Sequence, residues 1–297
     1  MIRVHERMES RSGARAARLA LSLAALVLAW LPSSGAIAGD QKPPATLRDA
    51  GLAFEAARLL PEAERGAGLD EAERLAVAAA RATKSEDEVR AARQLWAQIQ
   101  LERGQTVKAG EGFRQAADKG PDADDAAYQS ILTLEATGQD LQAVKAWGDW
   151  ESRFPQSPLM GEVKLAEAWN ALRRGDTALA QKHLAALLVN RSWYAADARV
   201  QLARATALYM TNKPSEALAL IGPRPGSGGA AAAYLRALCH RSLGSMLASA
   251  AAFQEVATRF PNSPLRDPAL LGKADAFLRA KDYKSAAEEF TRASKMA

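Results

Sequence analysis

Apolar residues beyond the N-terminal segment of this chain recur at spacings of three and four, which is the pattern of an amphipathic helix. Ala and Leu dominate, and no stretch alternates apolar and polar residues as a β-strand does. The pattern breaks at regular intervals, at Gly104, Gly138, Gly175, Gly244 and Lys281, with spacings of 34, 37, 69 and 37 residues. A period of about 34 residues is that of an array of helix–turn–helix units. The sequence therefore predicts an all-α repeat fold.

Six units align in one register along residues 90–297. They start at Arg90, Asp124, Gly161, Ala198, Ala230 and Asp267. Position 8 holds Ala97, Ile131, Ala168, Ala205, Ala237 and Ala274, and position 20 holds Ala109, Ala143, Ala180, Ala217, Ser249 and Ala286. Position 15, a turn, holds Gly104, Gly138, Gly175, Asn212, Gly244 and Lys281. Position 24 holds Phe113, Trp147, Leu184, Ile221, Phe253 and Phe290.

This pattern resembles the tetratricopeptide-repeat (TPR) family over about residues 90–297. The resemblance implies a right-handed superhelix of about six to seven repeats, each made of a helix A and a helix B. Small residues at positions 8 and 20 let the two helices of a repeat cross closely. The larger residue at position 24 fills the gap toward the next repeat. A left-handed residue at position 15 ends helix A.

Two regions depart from the repeat pattern. Residues 47–89 are expected to form a divergent helical cap or repeat, because a register starting at Ala53 places Pro61 inside helix A. A proline inside a helix costs about 3 kcal/mol. The Gly- and Pro-rich segment Gly222–Gly229 predicts a connector between a repeat block at 90–221 and a second block at 230–297. Two interpretations of this connector stay open, a surface loop and a hinge.

A longer phrase occurs twice at junctions between repeats, at 147–159 and 253–265. Each copy contains F-P-x-S-P-L, in which the first Pro stops helix B. We expect Ser157 and Ser263 to cap the next helix, with Pro158 and Pro264 as its first residues. The junctions are similar to those of two bacterial cell-envelope TPR proteins, the lipoprotein of the outer-membrane barrel-assembly machine and the Tol–Pal-associated cell-division coordinator.

The N-terminus has the order of a secretory signal. Residues 1–18 are polar and rich in Arg, residues 19–31 are apolar except for Ser22, and Ala36-Ile37-Ala38 has the small-x-small pattern of a cleavage site. A membrane-spanning helix needs about 20 apolar residues. We therefore predict a signal peptide at 1–38, cleaved near Ala38, a linker at 39–46 and a periplasmic location. The alternative is an uncleaved helix that anchors the chain to the inner membrane.

Charge and chemistry narrow the function. The full chain carries 39 basic and 34 acidic residues, a net charge of +5. Because residues 1–38 hold five Arg and two Glu, 34 basic and 32 acidic residues remain, a net charge of +2. This weak excess argues against nucleic-acid binding. Cys239 is the only cysteine, and His183 and His240 are the only histidines beyond residue 38. We predict no catalytic site, no metal site and no cofactor.

Cys239 and His240 are neighbours in the sequence, but adjacent residues on a helix point about 100° apart and do not face one another. We therefore favour ordinary packing for this pair over a nucleophilic site. An enzyme in its own right is the less favoured alternative.

The predicted binding surface is the concave face that the A helices line in a TPR superhelix. Positions 2, 5, 9, 12 and 13 point into that face, and aromatic and Arg residues are enriched at binding hot spots. The candidate groove residues on this basis are Tyr128, Trp169, Arg173, Arg199, Tyr209, Tyr234 and Arg241. The alternative is that several of them pack between neighbouring A helices. The Lys and Asn residues that clamp a carboxylate in chaperone-binding relatives are absent, since those positions hold Gln94 and Gln98, for example.

The sequence thus predicts a non-enzymatic adaptor or scaffold that binds a protein or peptide in the bacterial cell envelope. Membrane contact is expected only through an envelope complex or an uncleaved signal anchor. The alternative function is an accessory subunit of a peptidoglycan or polysaccharide enzyme complex. Self-association through the C-terminal repeat is a further prediction.

Overall fold

The computed structural model describes residues 46–120, 122–222 and 229–294, and these residues form 14 α-helices, one 3₁₀ helix and no strand. The predicted signal peptide and almost all of the predicted linker lie outside the described residues. Contacts along the backbone group the chain into two compact units that divide between Leu159 and Met160. The first unit contains α1 (Leu47–Leu59), α2 (Glu62–Ala82), α3 (Glu86–Glu102), α4 (Thr106–Ala116), α5 (Ala123–Ala136) and α6 (Asp140–Arg153).

The second unit contains the remaining helices, and each packs against the next one along the chain. They are α7 (Met160–Arg173), α8 (Thr177–Asn190), a 3₁₀ helix (Ser192–Ala196), α9 (Ala198–Met210), α10 (Pro214–Ile221), α11 (Gly229–Ser242), α12 (Met246–Arg259), α13 (Arg266–Arg279) and α14 (Tyr283–Ser294). The predicted all-α helical-repeat fold is confirmed. None of the described helices combines the length and the apolar character that crossing a bilayer requires.

The turn at position 15 has the predicted geometry in all six repeats. Gly104, Gly138, Gly175 and Gly244 have φ of 72°, 77°, 82° and 78°. Asn212 and Lys281 adopt the same left-handed conformation, with φ of 60° and 63°, and among the described residues only these two non-glycines have a positive φ. The conformation disfavours residues with a Cβ atom. Its recurrence with Asn and Lys shows that the A–B turn imposes the geometry.

The crossing points of helix A and helix B are closed by buried side chains, which are small except for Ile131 in the second repeat. Position 8 and position 20 are buried in every repeat, and the Ala residues there are no more than 2% exposed. At position 20 of the fifth repeat, buried Ser249 donates its hydroxyl to the carbonyl oxygen of Ala237 at 2.9 Å. The predicted register is therefore confirmed by burial as well as by turn geometry.

The large residues of the B helices fill the space between elements. Phe113, Trp147 and Phe253, at position 24, are 0% exposed, whereas Phe290 at the same position of the last repeat is 40% exposed. Trp150, at position 27, is also buried, and its indole N–H donates to the carbonyl oxygen of Asp124 at 2.8 Å. Phe113, Trp147, Trp150 and Phe253 are therefore core residues, whereas Phe290 is not.

The N-terminal region forms a helical hairpin with a different register from the one that starts at Ala53. Pro61 does not lie inside a helix, because α1 ends at Leu59 and α2 begins at Glu62. A proline at this boundary costs little, since the first N–H groups of a helix have no partner within it. The hairpin is still well packed, with Ala50 and Ala72 both fully buried.

The Ser-Pro junctions start their helices later than predicted. α7 begins at Met160 and α13 at Arg266, so Pro158 and Pro264 lie in turns before the helices. The Ser157 hydroxyl accepts a hydrogen bond from the Leu159 N–H at 3.0 Å, which forms a local turn rather than an N-cap. Leu159 and Leu265, which follow these prolines, are buried.

The helices on either side of the predicted connector share a core. Ala217 and Ile221 of α10 pack with Leu235 and Cys239 of α11. Arg236 of α11 also donates to the carbonyl oxygen of Gly222 at 3.2 Å. Residues 223–228 lie outside the described residues, and a hinge there stays a prediction.

Because α3 and α4 pack closely, we expect Gly112 to tolerate substitution less well than Gly148. An added Cβ at Gly112 would lie 3.0 Å from the Cβ of Ala97 and 2.9 Å from the Trp96 ring, whereas an added Cβ at Gly148 would meet nothing within 4 Å. We expect Gly112→Ala to destabilise by about 1–3 kcal/mol through overpacking. We expect Gly148→Ala to stabilise by up to about 1 kcal/mol through helix propensity.

Urea denaturation of both variants, monitored by helical circular dichroism, checks this difference. Equal effects of the two substitutions would contradict the close approach of α3 and α4.

Candidate functional site

The seven predicted groove residues lie on the helices assigned as A helices, and all are partly buried. One belongs to the first unit, namely Tyr128 on α5. The other six belong to the second unit, where Trp169 and Arg173 lie on α7, Arg199 and Tyr209 on α9, and Tyr234 and Arg241 on α11. The surface formed by α7, α9, α11 and α13 of the second unit, here called the A face, is therefore the candidate site.

Tyr128 contributes to the packing of its own hairpin. Its ring centroid lies 5.5 Å from that of Trp147, at an angle of 51°. The Trp147 indole N–H in turn donates to Oε1 of Glu135 at 3.0 Å, inside the hairpin. Tyr128 thus packs against a neighbouring side chain, as in the alternative interpretation of the groove residues. A binding role for Tyr128 stays a prediction.

Trp169 also serves packing. Its side chain lies against the buried cluster of α7, α8 and α9 that includes Leu165, Leu172 and Val200. Arg173 occupies the last turn of the same helix, where a cation interacts favourably with the helix dipole.

Arg199 joins two A helices through an acidic partner that the sequence did not identify. Its Nη1 lies 3.0 Å from Oε2 of Glu162 on α7, and its Nε donates to Oδ1 of Asp197 at 3.0 Å. The Tyr194 hydroxyl donates to Oε1 of the same Glu162 at 2.7 Å. Gly161 is needed beside this network, because an added Cβ would lie 2.8 Å from the Tyr194 ring. A ligand for Arg199 would have to compete with two carboxylates.

Tyr209, Tyr234 and Arg241 are neighbours on the A face. Burial raises the pKa of the Tyr234 hydroxyl, the positive charge of Arg241 lowers it, and Tyr209 raises it further, so all three groups interact. The Tyr234 ring packs edge-on against Phe253 with centroids 5.3 Å apart.

Arg241 shares an acidic partner with a second arginine. Its Nη1 lies 3.4 Å from Oδ2 of Asp275 on α13, and Nε of Arg279 donates to the same oxygen at 2.8 Å. Sequence reasoning missed Asp275 and Arg279, although they occupy positions 9 and 13 of the last repeat. The rule of position and residue type that selected the other groove residues would have found Arg279 had it been applied to that repeat, but not the acidic Asp275.

The surroundings of Cys239 and His240 disfavour nucleophilic chemistry at the thiol. Cys239 is 0% exposed in the core between α9, α10 and α11, and burial raises the pKa of its thiol to about 11. The thiolate, which is the nucleophile, is therefore scarce near neutral pH. Burial, followed by the positive charge of Arg236, lowers the pKa of His240.

His183 lies in a small polar cluster. Its Nδ1 is 3.1 Å from Oε2 of Glu167, and Nζ of Lys164 is 3.0 Å from the same oxygen. Among residues 46–120, 122–222 and 229–294, no three His, Cys, Asp or Glu side chains come together as metal ligands would.

Comparisons with known proteins support the fold. No protein-family model matches the chain, and no curated protein matches it. A solved TPR protein from Parabacteroides merdae is 17% identical, with a TM-score of 0.55, and the match covers 76% of this chain and 84% of that one. The apo form of RapI is 12% identical, with a TM-score of 0.56, over 84% of this chain and 75% of that one.

The chain has the tetratricopeptide-repeat fold. These two structures share the fold with this chain across most of both lengths. Within this fold, Tyr128 and Trp169 pack against neighbouring side chains and Arg199 is paired with two carboxylates. Tyr209, Tyr234 and Arg241, together with Asp275 and Arg279, belong to the polar part of the A face.

The buried thiol generates a test of this interpretation. With a pKa of about 11 and no exposed surface, Cys239 should react with a water-soluble disulfide reagent at pH 8 at least about 100-fold more slowly in the folded chain than in urea. The reasons are the low thiolate fraction and the need for opening before attack.

The rate of thiol modification at pH 8, with and without urea, measures this difference. Equal rates in the two conditions would show that Cys239 is accessible and would reopen the question of its reactivity.

Proposed function

We propose that this protein is a non-enzymatic periplasmic adaptor of the bacterial cell envelope, whose A face binds a protein or peptide segment. The fold supports the interaction role, and the signal-like order of residues 1–38 supports export. The N-terminal segment itself lies outside the described residues, so this support comes from its sequence pattern. The envelope junctions at 147–159 and 253–265 favour the same compartment by resemblance.

One observation carries the binding role. The A face of the second unit keeps exposed apolar side chains, two of them on α13 beside Arg241 and Arg279. Met210, Leu271 and Leu278 are 43%, 52% and 44% exposed. Arg and exposed apolar groups together are typical of interaction surfaces. An accessory role in a peptidoglycan or polysaccharide enzyme complex is the alternative, in which the same face would dock onto a catalytic subunit.

Photo-crosslinking in the native host tests this proposal. Trp169 packs against the core, so Met210 is the better position for the photoreactive residue, and exposed Lys182 on the B helix α8 is the control. We expect one dominant protein adduct from Met210, recovered in the periplasmic fraction, and none from Lys182. The identity of the adduct, by mass spectrometry, separates an adaptor for a non-enzymatic machine from a subunit of an envelope enzyme complex.

Equal adducts from both positions, or none from Met210, would count against the A face. Recovery of the adduct only from the cytoplasm would count against the periplasmic location.

A second interaction, self-association, is proposed for the last repeat. Phe290 is 40% exposed, although Phe113, Trp147 and Phe253 at the same repeat position are fully buried. Tyr283, two turns away on α14, is 65% exposed. Lys284 and Glu288 flank this stripe one helical turn apart, so two antiparallel copies of α14 would place opposite charges together.

Sedimentation over a range of protein concentrations tests this pairing. We expect a dimer that Phe290→Ser weakens at least about tenfold, because a buried aromatic residue contributes more than 1.4 kcal/mol. Leu247→Ser, which removes another exposed apolar side chain of the second unit, is the control and should leave the dimer intact. A monomer mass at every concentration would refute the proposal.

A further inference from the structure

The Arg241–Asp275–Arg279 cluster carries more positive than negative charge. Both guanidinium groups contact one carboxylate oxygen, Oδ2 of Asp275, at 3.4 Å from Arg241 and 2.8 Å from Arg279. Arg241 contributes only Nη1 and Arg279 only Nε to the hydrogen bonds of the described residues. Guanidinium groups have five N–H donors each. Several donors therefore remain for a second anion.

The cluster is open to solvent and has an apolar border. Arg241 and Asp275 keep 31% and 30% of their side-chain surface exposed, and Arg279 keeps 56%. Leu271 and Leu278 flank Asp275 on α13 at spacings of four and three residues, on the same side of the helix. Both are exposed, so an anion held here would lie next to two apolar side chains.

We propose that this cluster anchors an acidic side chain, Asp or Glu, of a bound peptide segment that places an apolar residue against Leu271 and Leu278. This inference rests on the proposed function of the A face and names the chemistry of its partner. Charge complementarity favours an acidic side chain, because two guanidinium groups share one carboxylate and leave a net positive charge. The planar donors of arginine suit a carboxylate in a bidentate arrangement.

Asp275 acts as an internal competitor in this arrangement. While the site is empty, its carboxylate holds the two guanidiniums in place. An incoming carboxylate must share these donors with Asp275 and pays for the repulsion between the two acids. Removing the charge of Asp275 should therefore strengthen binding, whereas removing the arginines should weaken it. A purely structural cluster would behave differently, since either change would then weaken binding.

A random dodecapeptide library displayed on phage is the probe, selected against the purified full chain. We expect enriched peptides to share an acidic residue next to a large apolar one. Fluorescence anisotropy then measures the affinity of the most enriched peptide for the unaltered protein and its variants. The double variant Arg241→Gln/Arg279→Gln should bind about tenfold more weakly, in keeping with the loss of a hydrogen bond to a charged group. Asp275→Asn should bind several-fold more tightly.

Two controls isolate the cluster. Arg259→Gln removes one positive charge from the B helix α12, where the side chain is 53% exposed, and should leave the affinity unchanged. A peptide with the acidic residue replaced by its amide should bind the unaltered protein about tenfold more weakly. The gain in affinity of Asp275→Asn cannot arise from misfolding, so the test does not depend on the double variant being fully stable.

Three outcomes would overturn the inference. They are enriched peptides without an acidic residue, an affinity that falls in Asp275→Asn, and binding of phosphatidylglycerol vesicles, but of no peptide, in an arginine-dependent manner. The first two would leave the proposed adaptor function intact, because a dominant adduct from Met210 would still identify a protein partner at the A face. A failure of crosslinking as well would remove the proposed function itself.

Discussion

The close crossing of helix A and helix B within each repeat is the constraint on which the rest of this structure depends. Ala97 meets Ala109, and the equivalent pairs follow in each later repeat, with every member buried. Where these side chains are small, two backbones approach closely, and an added Cβ at Gly112 would lie within 3.0 Å of Ala97 and Trp96. The left-handed turn between the helices then has a fixed geometry, which even Lys281 adopts.

This constraint divides the large side chains between two tasks. Position 24 of helix B fills the core, within its own hairpin at Phe113 and Trp147 and against the next helix, α13, at Phe253. Phe113, Trp147 and Phe253 are used up in this way. The A helices meet each other through apolar side chains, such as those of the cluster with Leu172 and Val200, and also through ion pairs, as in the contacts of Glu162 with Arg199 and of Arg241 with Asp275. Polar groups and a few exposed apolar ones therefore remain on the A face.

The repeat register, the turns and the core were predictable because each depends on contacts within one repeat of about 34 residues. The misplaced features depend on local competition that periodicity does not reveal. Pro61 lies between two helices because the chain breaks after Leu59, and Ser157 forms a turn with Leu159 just before α7. The packing of Tyr128 and Trp169 was also hidden, since a position that points along the A face can still lie against a core neighbour.

Ion pairing between repeats was the least predictable part of the site, and it matters most for the chemistry of binding. The sequence pattern did not indicate an ion-pair partner for Arg199, but Glu162, 37 residues away, pairs with it. Arg241 is 34 residues from Asp275, so the repeat spacing places an acidic residue beside a basic one.

Arg199 and Arg241 differ in what surrounds them. Arg199 is bracketed by two carboxylates and a third partner holds Glu162, whereas Arg241 and Arg279 divide one carboxylate between them. Of these two arrangements, only the pairing of Arg241 and Arg279 with Asp275 leaves uncompensated positive charge. It lies beside Leu271 and Leu278 of α13, which are exposed to solvent. The part of the A face suited to an acidic partner therefore depends on an excess of positive charge that two neighbouring repeats form together, and not on any one residue.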